Sequence, residues 1–399
     1  MQAVILAAGK GTRCHPLTLT RPKALLKIAN RTILEHNLEQ LKGLVDDVII
    51  VVGYLGAMIR TQMGDSFGGM KIRYVEQKEI NGTGGALLLC KNLLKGRFLV
   101  LNGDDLYSRK DIERCLKHQY SVMAKEVADP EKWGIFDVKS GFVTGLTEKP
   151  KSAKSNLANT GLYVLDTKIF EYKLKKSARE EYEATDLVAA LARKEKIHCE
   201  RVADYWIPIG YPWHILEANE FLLTRMKKSV IKGTIEKGVT VKGQLALGKG
   251  SLIKSGAYIE GPVVIGENCA IGPNCFIRGA TSIGNDCKVG NAVEIKNCVI
   301  YDNSSVPHLS YIGDSVIGEH VNLGAGTITA NLRFDHKEIK TIINGEKVNT
   351  LRKKCGAFVG DHAQTGINVS LMPGVKIWPG RWIKPATTVY EDVVLEEHQ

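Results

Sequence analysis

From Ile235 onward an aliphatic residue returns every six positions, and no other feature so restricts what this chain can fold into. The walk lands on Val241, Leu247, Ile253, Ile259, Ile265, Ile271, Ile277, Ile283, Val289 and Ile295 without a miss. The fifth place of each hexad is small or apolar too, as at Ser251, Ala257, Val263, Cys269, Cys275, Thr281, Cys287 and Val293. Six is a multiple of the strand's two-residue alternation and fits no helical period. The first and fifth residues then share one face of a strand, and glycines such as Gly248, Gly266 and Gly284 admit a turn at the corners. This repeat predicts a parallel β-helix of hexapeptide type. An irregular β-sandwich would space its strands unevenly.

Beyond Ile295 the count slips. It restarts at Ile300, Val306 and Ile312, then at Ile317 and Leu323, and stops between Ala330 and Gly356. It resumes at Val359, Thr365, Leu371, Ile377, Ile383 and Val389. A polar segment expelled from a rigid scaffold is a natural place for binding residues, the alternative being an idle surface loop.

The first half reads differently. Gln2–Ala7 is a buried strand feeding a glycine loop at Gly9 and Gly11; a helix is expected from about Thr32 to Lys42 and strands at Asp47–Val52, around Tyr74-Val75 and at Phe98–Leu101. Such alternation predicts an α/β layer with a mixed, mostly parallel sheet, whose ligands sit at the carboxyl ends of the strands. A chain of 399 residues is long for one core. We therefore expect two domains, 1–226 and 227–399, the second interrupted by an insertion at about 330–356. Helical character at Ile215–Lys228 marks the bridge.

The net charge is +11, but its lysines and arginines fall in short scattered groups, with no nucleic-acid recognition motif beside them. An attraction for phosphorylated small molecules explains the charge as well. The nine cysteines include no C-x-x-C pair, and Cys269, Cys275 and Cys287 are expected to stack as buried thiols in one column. Free thiols suit a reducing cytoplasm. The start lacks the basic flank and cleavage site of a signal peptide, and no apolar run reaches membrane-spanning length, so no membrane partner is expected.

A G-x-G pair alone is weak, and the third glycine of a dinucleotide fingerprint is missing. Arg13 and Arg21-Pro22-Lys23 follow instead, which suits a triphosphate. Asp104, after a strand and a glycine, is placed to hold Mg²⁺ against phosphate oxygens, unless it merely forms a turn. At this point the residues carry a resemblance. Leu6-Ala7-Ala8-Gly9-Lys10-Gly11-Thr12-Arg13, Arg21-Pro22-Lys23, Gly82-Thr83, Asn102-Gly103-Asp104, Glu148-Lys149-Pro150 and Asn159-Thr160-Gly161 resemble the signature set of sugar-1-phosphate nucleotidylyltransferases. The resemblance implies that a nucleoside triphosphate and a sugar 1-phosphate give a nucleotide-sugar and pyrophosphate. It implies that Gly9 to Arg13 and Lys23 hold the triphosphate, that Leu6 and Ala8 bind the nucleotide, and that Gln77 with Gly82 and Thr83 reads a pyrimidine base. Asp104 would hold the metal, and Gly134, Glu148 and Asn159 the sugar. One departure is clear: the family's W-x-D-I-G stands here as Trp206-Ile207-Pro208-Ile209-Gly210, so a second metal ligand is missing unless Asp204, Asp105 or water replaces it.

In the repeat half, His308 has company in Tyr311 and in Asn331 and Lys337 of the expelled segment. Acyl transfer to an amine needs a base for the nitrogen's proton, and histidine titrates in the right range. Pro307-His308-Leu309-Ser310-Tyr311 and Gly324-Ala325-Gly326-Thr327-Ile328-Thr329-Ala330-Asn331 resemble the acetyltransferase half of the bifunctional N-acetylglucosamine-1-phosphate uridylyltransferase/glucosamine-1-phosphate acetyltransferase family. That resemblance implies a left-handed β-helix, a homotrimer with acetyl sites at subunit boundaries, and acetyl-CoA as co-substrate. It implies His308 as base, Tyr311, Asn331 and Lys337 around the amino sugar with Lys340 as an extra cation, Arg278 and Lys296 on the phosphate, and Ala325 beside the coenzyme. Asp361 replaces a serine common in that family.

The expected function is two steps of UDP-N-acetylglucosamine synthesis. Glucosamine 1-phosphate, with galactosamine 1-phosphate as a second acceptor, would be acetylated and then coupled to UTP or dTTP. Two alternatives compete. One is a nucleotidylyltransferase with a merely oligomerising β-helix; the other is a non-catalytic regulator resembling exchange-factor subunits of translation initiation.

Overall fold

The architecture comes from a computed structural model that describes residues 1–177 and 180–394; the last five residues expected in the second domain, 395–399, lie outside the described residues. The chain forms two compact units. One contains Met1–Lys10, Pro22–Leu25 and Ile33–Pro208; the other contains Gly11–Arg21, Leu26–Thr32 and the residues from Ile209 onward.

The first unit is built on a ten-stranded mixed sheet. Gln2–Ala7 lies inside it, parallel to Asp47–Val52 on one side and to Arg97–Asn102 on the other, with Met70–Glu76 parallel beyond. Strand alternation sends Ala3, Ile5, Val48, Ile50 and Leu99 into one core, where they meet Leu34 and Leu38 of the helix Ile33–Leu41. Val4, Ile49, Val51 and Val100 enter a second core with Leu187 and Leu191 of the helix Ala184–Ala192. Helices therefore cover both faces of the sheet.

The parallel part is smaller than alternating strands and helices suggest. Leu157–Asp166 runs antiparallel to Arg97–Asn102 and to Ser121–Glu126, and Gly134–Lys139 pairs antiparallel with Phe142–Glu148. These last two strands are joined by the two-residue turn Ser140-Gly141, which cannot carry the crossover that a parallel pair needs.

In the second unit three sheets of eight strands each are parallel throughout, consistent with a left-handed β-helix. Leu245 pairs with Val263 and Val263 with Thr281, so a full coil takes three hexads, 18 residues. The slip after Ile295 is a coil shortened by one residue: Ile283 pairs with Ile300 and Ile295 with Ile312. The hexad positions from Leu247 to Val389 fill one continuous buried column, whereas Ile235 and Val241, with no coil beneath them, are exposed.

The 18-residue coil corrects one expectation. Cys269 and Cys287 stack, since their following strands pair as Ala270 with Lys288. Cys275 precedes Phe276, whose partner is Tyr258, and so stands at the next corner of the triangle. Six residues make one side, not one coil.

The expelled segment is itself ordered. Lys340–Ile343 pairs antiparallel with Glu346–Asn349, and the neck closes where Cys355 N–H donates to the Asn331 carbonyl at 3.0 Å. Among the described residues no helix is long and apolar enough to cross a membrane.

Candidate functional site

In the first unit, the expected nucleotide and sugar residues gather at strand ends. The Leu6 carbonyl accepts from Gly103 N–H at 2.8 Å, which holds the end of the first strand beside the turn that carries Asp104. Lys23 and Asp104 form an ion pair at 2.6 Å, the lysine buried and the aspartate side chain two-fifths exposed. Gln77 is buried and donates to Asn81 Oδ1 at 2.9 Å and to the Gly82 carbonyl at 3.1 Å. Thr83 Oγ accepts from Ala184 N–H at 3.0 Å. Gly134 stands opposite Glu148, and a Cβ there would lie 2.7 Å from Glu148 Oε2 and 3.6 Å from Asn159 Cβ. Glycine at 134 is what lets that carboxylate and amide share one surface.

Beside Asp104, Asp105 is buried, with its carboxylate accepting from Trp206 Nε1 at 3.1 Å. Burial, then the charge of Asp104, pushes its carboxyl up to about 7. Pro208 is its register partner and supplies no side-chain oxygen. Asp204 lies at the other end of that short ribbon, its backbone N–H donating to Asp111 at 3.0 Å. Asp104 is thus the open carboxylate beside the buried Asp105, Asp204 being exposed at the ribbon's other end, and among the described residues no cluster of three acidic, histidine or cysteine side chains forms a ready metal cage.

In the second unit, Arg13 lies over the Tyr211 ring at 5.4 Å. Arg21 is buried, donating to Glu319 at 2.6 Å and Asp361 at 2.5 Å, with Thr20 also on Asp361 at 2.6 Å. Here lies the reason for Asp361: it anchors the segment Gly11–Arg21.

The acetyl-site candidates divide between two neighbouring corners of the prism. His308, exposed, ends the strand Ser305–His308, and its carbonyl accepts from Gly326 N–H, so it stacks with the Ala325 turn of the next coil. Tyr311, Asn331, Arg278 and Lys296 gather at the adjoining sheet and its far corner. Arg278 and Lys296 are register neighbours, as are Lys296 and Gly313, so the two cations form one outward row. A Cβ at Gly313 would lie 2.5 Å from Tyr311 Oη and 2.8 Å from Asn331 Nδ2, so only glycine leaves room for phenol and amide above Lys296. Asn331 Nδ2 donates to Tyr311 Oη at 3.1 Å. Burial holds the phenol above its ordinary value, so Tyr311 stays protonated. Lys337 and Lys340 are exposed on the expelled segment, and their ammonium groups form no ion pair among the described residues. The chain by itself does not bring these two lysines to the Tyr311 cluster.

A model described as nucleotidyl transferase matches residues 2–225. The chain belongs to the nucleotidyl transferase family. A second model, the GMPPB C-terminal domain, matches residues 259–355 of this nucleotidyl transferase. It is 43% identical over 398 residues to a protein of Methanocaldococcus jannaschii named bifunctional protein GlmU, covering 98% of this chain and 96% of that relative. A Sulfurisphaera tokodaii protein named bifunctional sugar-1-phosphate nucleotidylyltransferase/acetyltransferase is 39% identical over 401 residues, with 98% of each chain covered. Among solved structures, a putative glucose-1-phosphate thymidylyltransferase from Bacillus anthracis, in complex with a sucrose, superposes with a TM-score of 0.51 at 29% identity, covering 55% of this chain and 94% of that one.

Sequence reasoning did not single out Glu294, Asn297 and Asp314. In this nucleotidyl transferase they are the counter-charges and amide behind the two cations: Arg278 pairs with Glu294 at 2.7 Å and Lys296 with Asp314 at 3.2 Å. A coil count carried through the 17-residue slip would have stacked Asp314 beyond Asn297 at one corner.

Proposed function

We propose that this nucleotidyl transferase is a bifunctional enzyme of UDP-N-acetylglucosamine synthesis, an acetyl-CoA-dependent N-acetyltransferase as well as a nucleotidyltransferase. The observation that carries the reading is the row of Arg278 and Lys296 beside the Tyr311 phenol and the Asn331 amide, on a chain similar over its whole length to bifunctional relatives. Two cations and a neutral donor suit a phosphorylated sugar.

For acetyl transfer, His308 takes the proton from the amine of glucosamine 1-phosphate or galactosamine 1-phosphate. The nitrogen attacks the thioester carbonyl, the carbon–sulfur bond breaks, and coenzyme A leaves as the thiol after protonation. Arg278 and Lys296 hold the phosphate, Ala325 lies along the coenzyme, and Lys337 and Lys340 supply cations to the site of a second subunit in a homotrimer. Leu309 next to His308 and Leu332, Phe334 and Leu351 on the expelled segment are exposed, which leaves apolar surface for such a boundary.

For nucleotidyl transfer, a sugar-phosphate oxygen attacks the α-phosphorus of UTP or dTTP and pyrophosphate leaves. Such displacement needs positioning and charge neutralisation rather than a covalent group. Gly9 and Lys23 hold the triphosphate and Leu6 and Ala8 bind the nucleotide; Gln77, Gly82 and Thr83 face the base; Gly134, Glu148 and Asn159 face the sugar. Asp104 fits Mg²⁺, which takes one or two carboxylates together with phosphate oxygens and water. When bound, the ion neutralises phosphate charge. Lys23, paired with Asp104 at 2.6 Å, would add its own positive charge beside the phosphates. Free thiols in all nine cysteines favour a cytoplasmic setting.

The test is a panel of UTP and dTTP with sugar 1-phosphates, and of acetyl-CoA with amino-sugar phosphates, scored for pyrophosphate and free thiol. Release of neither product sinks the reading. Pyrophosphate without thiol leaves a nucleotidylyltransferase with a structural β-helix.

A further inference from the structure

We infer that Asp314 is a positioning residue of the acetyl-transfer site, its carboxylate fixing the Asn331 amide and the Lys296 ammonium against the Tyr311 phenol. The inference rests on the acetyl-transfer reading above.

The corner that Asp314 occupies does not ask for a charge. In successive coils the same corner is turned by Gly243, Gly261, Gly279 and Asn297, and Asp314 N–H donates to the Lys296 carbonyl just as Asn297 N–H donates to that of Arg278. Gly243, Gly279, Asn297 and Asp314 all have positive φ, a conformation that glycine and asparagine adopt with least strain. Asparagine would turn the chain here without burying an anion. Yet the Asp314 side chain is only 3% exposed. A buried carboxylate is costly unless charges and donors surround it.

They do. Asp314 Oδ2 accepts from Asn331 Nδ2 at 2.6 Å and from Lys296 Nζ at 3.2 Å. Oδ1 accepts from Asn297 Nδ2 at 2.8 Å and faces Arg352 at 3.8 Å. Arg352 in turn reaches Glu217 of the helix Pro212–Thr224 at 3.6 Å. One carboxylate therefore ties the coil below to both ends of the expelled segment, Asn331 entering it and Arg352 leaving it. The Asn331 amide nitrogen sits between Asp314 and Tyr311, so the carboxylate decides which way that amide faces. The Lys296 ammonium is drawn to the end of the row where the phenol stands. Asp314 itself is too enclosed to touch a substrate; it acts through those two groups.

Steady-state acetyl transfer by Asp314→Asn tests this. We expect kcat/KM for the amino-sugar phosphate to fall on the order of 10- to 100-fold, the size of a small misplacement of reacting groups, with KM for acetyl-CoA unchanged. The Asn331→Ala, Asp314→Asn double variant should lose less than the product of the two single losses. If Asp314→Asn fails to fold, Asp314→Asn combined with Arg352→Gln removes anion and cation together and should show the same selective loss. Unchanged kcat/KM, equal rises in both KM values, or multiplicative losses overturn the assignment while leaving acetyl transfer intact. An unmodified protein that releases no thiol with any amino-sugar phosphate overturns both.

Discussion

Pro208 stands directly across from Asp105 in the antiparallel pair formed by Asp105–Tyr107 and Trp206–Pro208. The residue that could have offered a second oxygen to a divalent ion is thus a ring with none, facing a carboxylate that is itself buried.

Replacing Pro208 with aspartate should add a ligand and a like charge together. We expect Pro208→Asp to melt lower than the parent without Mg²⁺, and to gain more in Tm on Mg²⁺ addition. Pyrophosphate release at limiting Mg²⁺ should rise several-fold, because hard cations take further carboxylate oxygens readily. An equal Mg²⁺ response in both proteins would show that the position lies outside metal reach.

Asp105 should make stability fall as pH rises. Its folded-state carboxyl titrates near 7, above the unfolded value of about 4, so between those pH values the native state holds the extra proton. Its contribution is full below about pH 4 and lost by about pH 7. Asp105→Asn should flatten that part of the profile, measured by denaturant unfolding without divalent ions. A parent profile that rises steadily across the same window, unchanged by the substitution, would refute it.

Arg21 is held by two carboxylates, and its loss leaves Asp361, among the described residues, with no cation and Glu319 with only the more distant Lys27 at 3.8 Å. Arg21→Met should cost about 3–5 kcal/mol, the usual penalty for breaking a buried ion pair from one side. Asp361→Ser, which leaves Glu319 to the arginine, should cost less and leave KM for acetyl-CoA unchanged. A raised coenzyme KM in Asp361→Ser would mean that this carboxylate serves the coenzyme after all.

His308→Ala should lower thiol release by about 10²–10⁴-fold, the range for losing a general base. Pyrophosphate release should stay at the parent's level. Full acetyl transfer in this variant would remove the base assignment.

The prism was legible because one side of it repeats every six residues, and Leu247 through Val389 fill the column that the count names. The early strands were legible for a similar reason, Gln2–Ala7 and Asp47–Val52 being apolar runs that a parallel sheet buries on both faces. Legibility fails where residues meet across coils. Asp314 touches Lys296, Asn331 and Arg352, contacts fixed by a one-residue slip and by a loop that returns to its own root. Cys275 stands one corner away from Cys269 because six residues run along a side of the triangle and do not climb one coil. Asp361 reads in the sequence only as a departure from the family's serine, because its partner Arg21 lies more than three hundred residues earlier in the chain.

The closed neck of the expelled segment has a practical result. With Asn331 and Cys355 bonded across it and Leu332 bridged to Lys354, the excursion departs and rejoins at one place, and it is moored again where Thr341 Oγ1 donates to the Gly374 carbonyl at 2.6 Å and Arg352 faces Asp314. The exposed turn Asn344-Gly345 between its two strands is where residues can be added or grafted on without disturbing the stack. Variation among related enzymes should collect there, and a designer could use the same place as a port for a new recognition element.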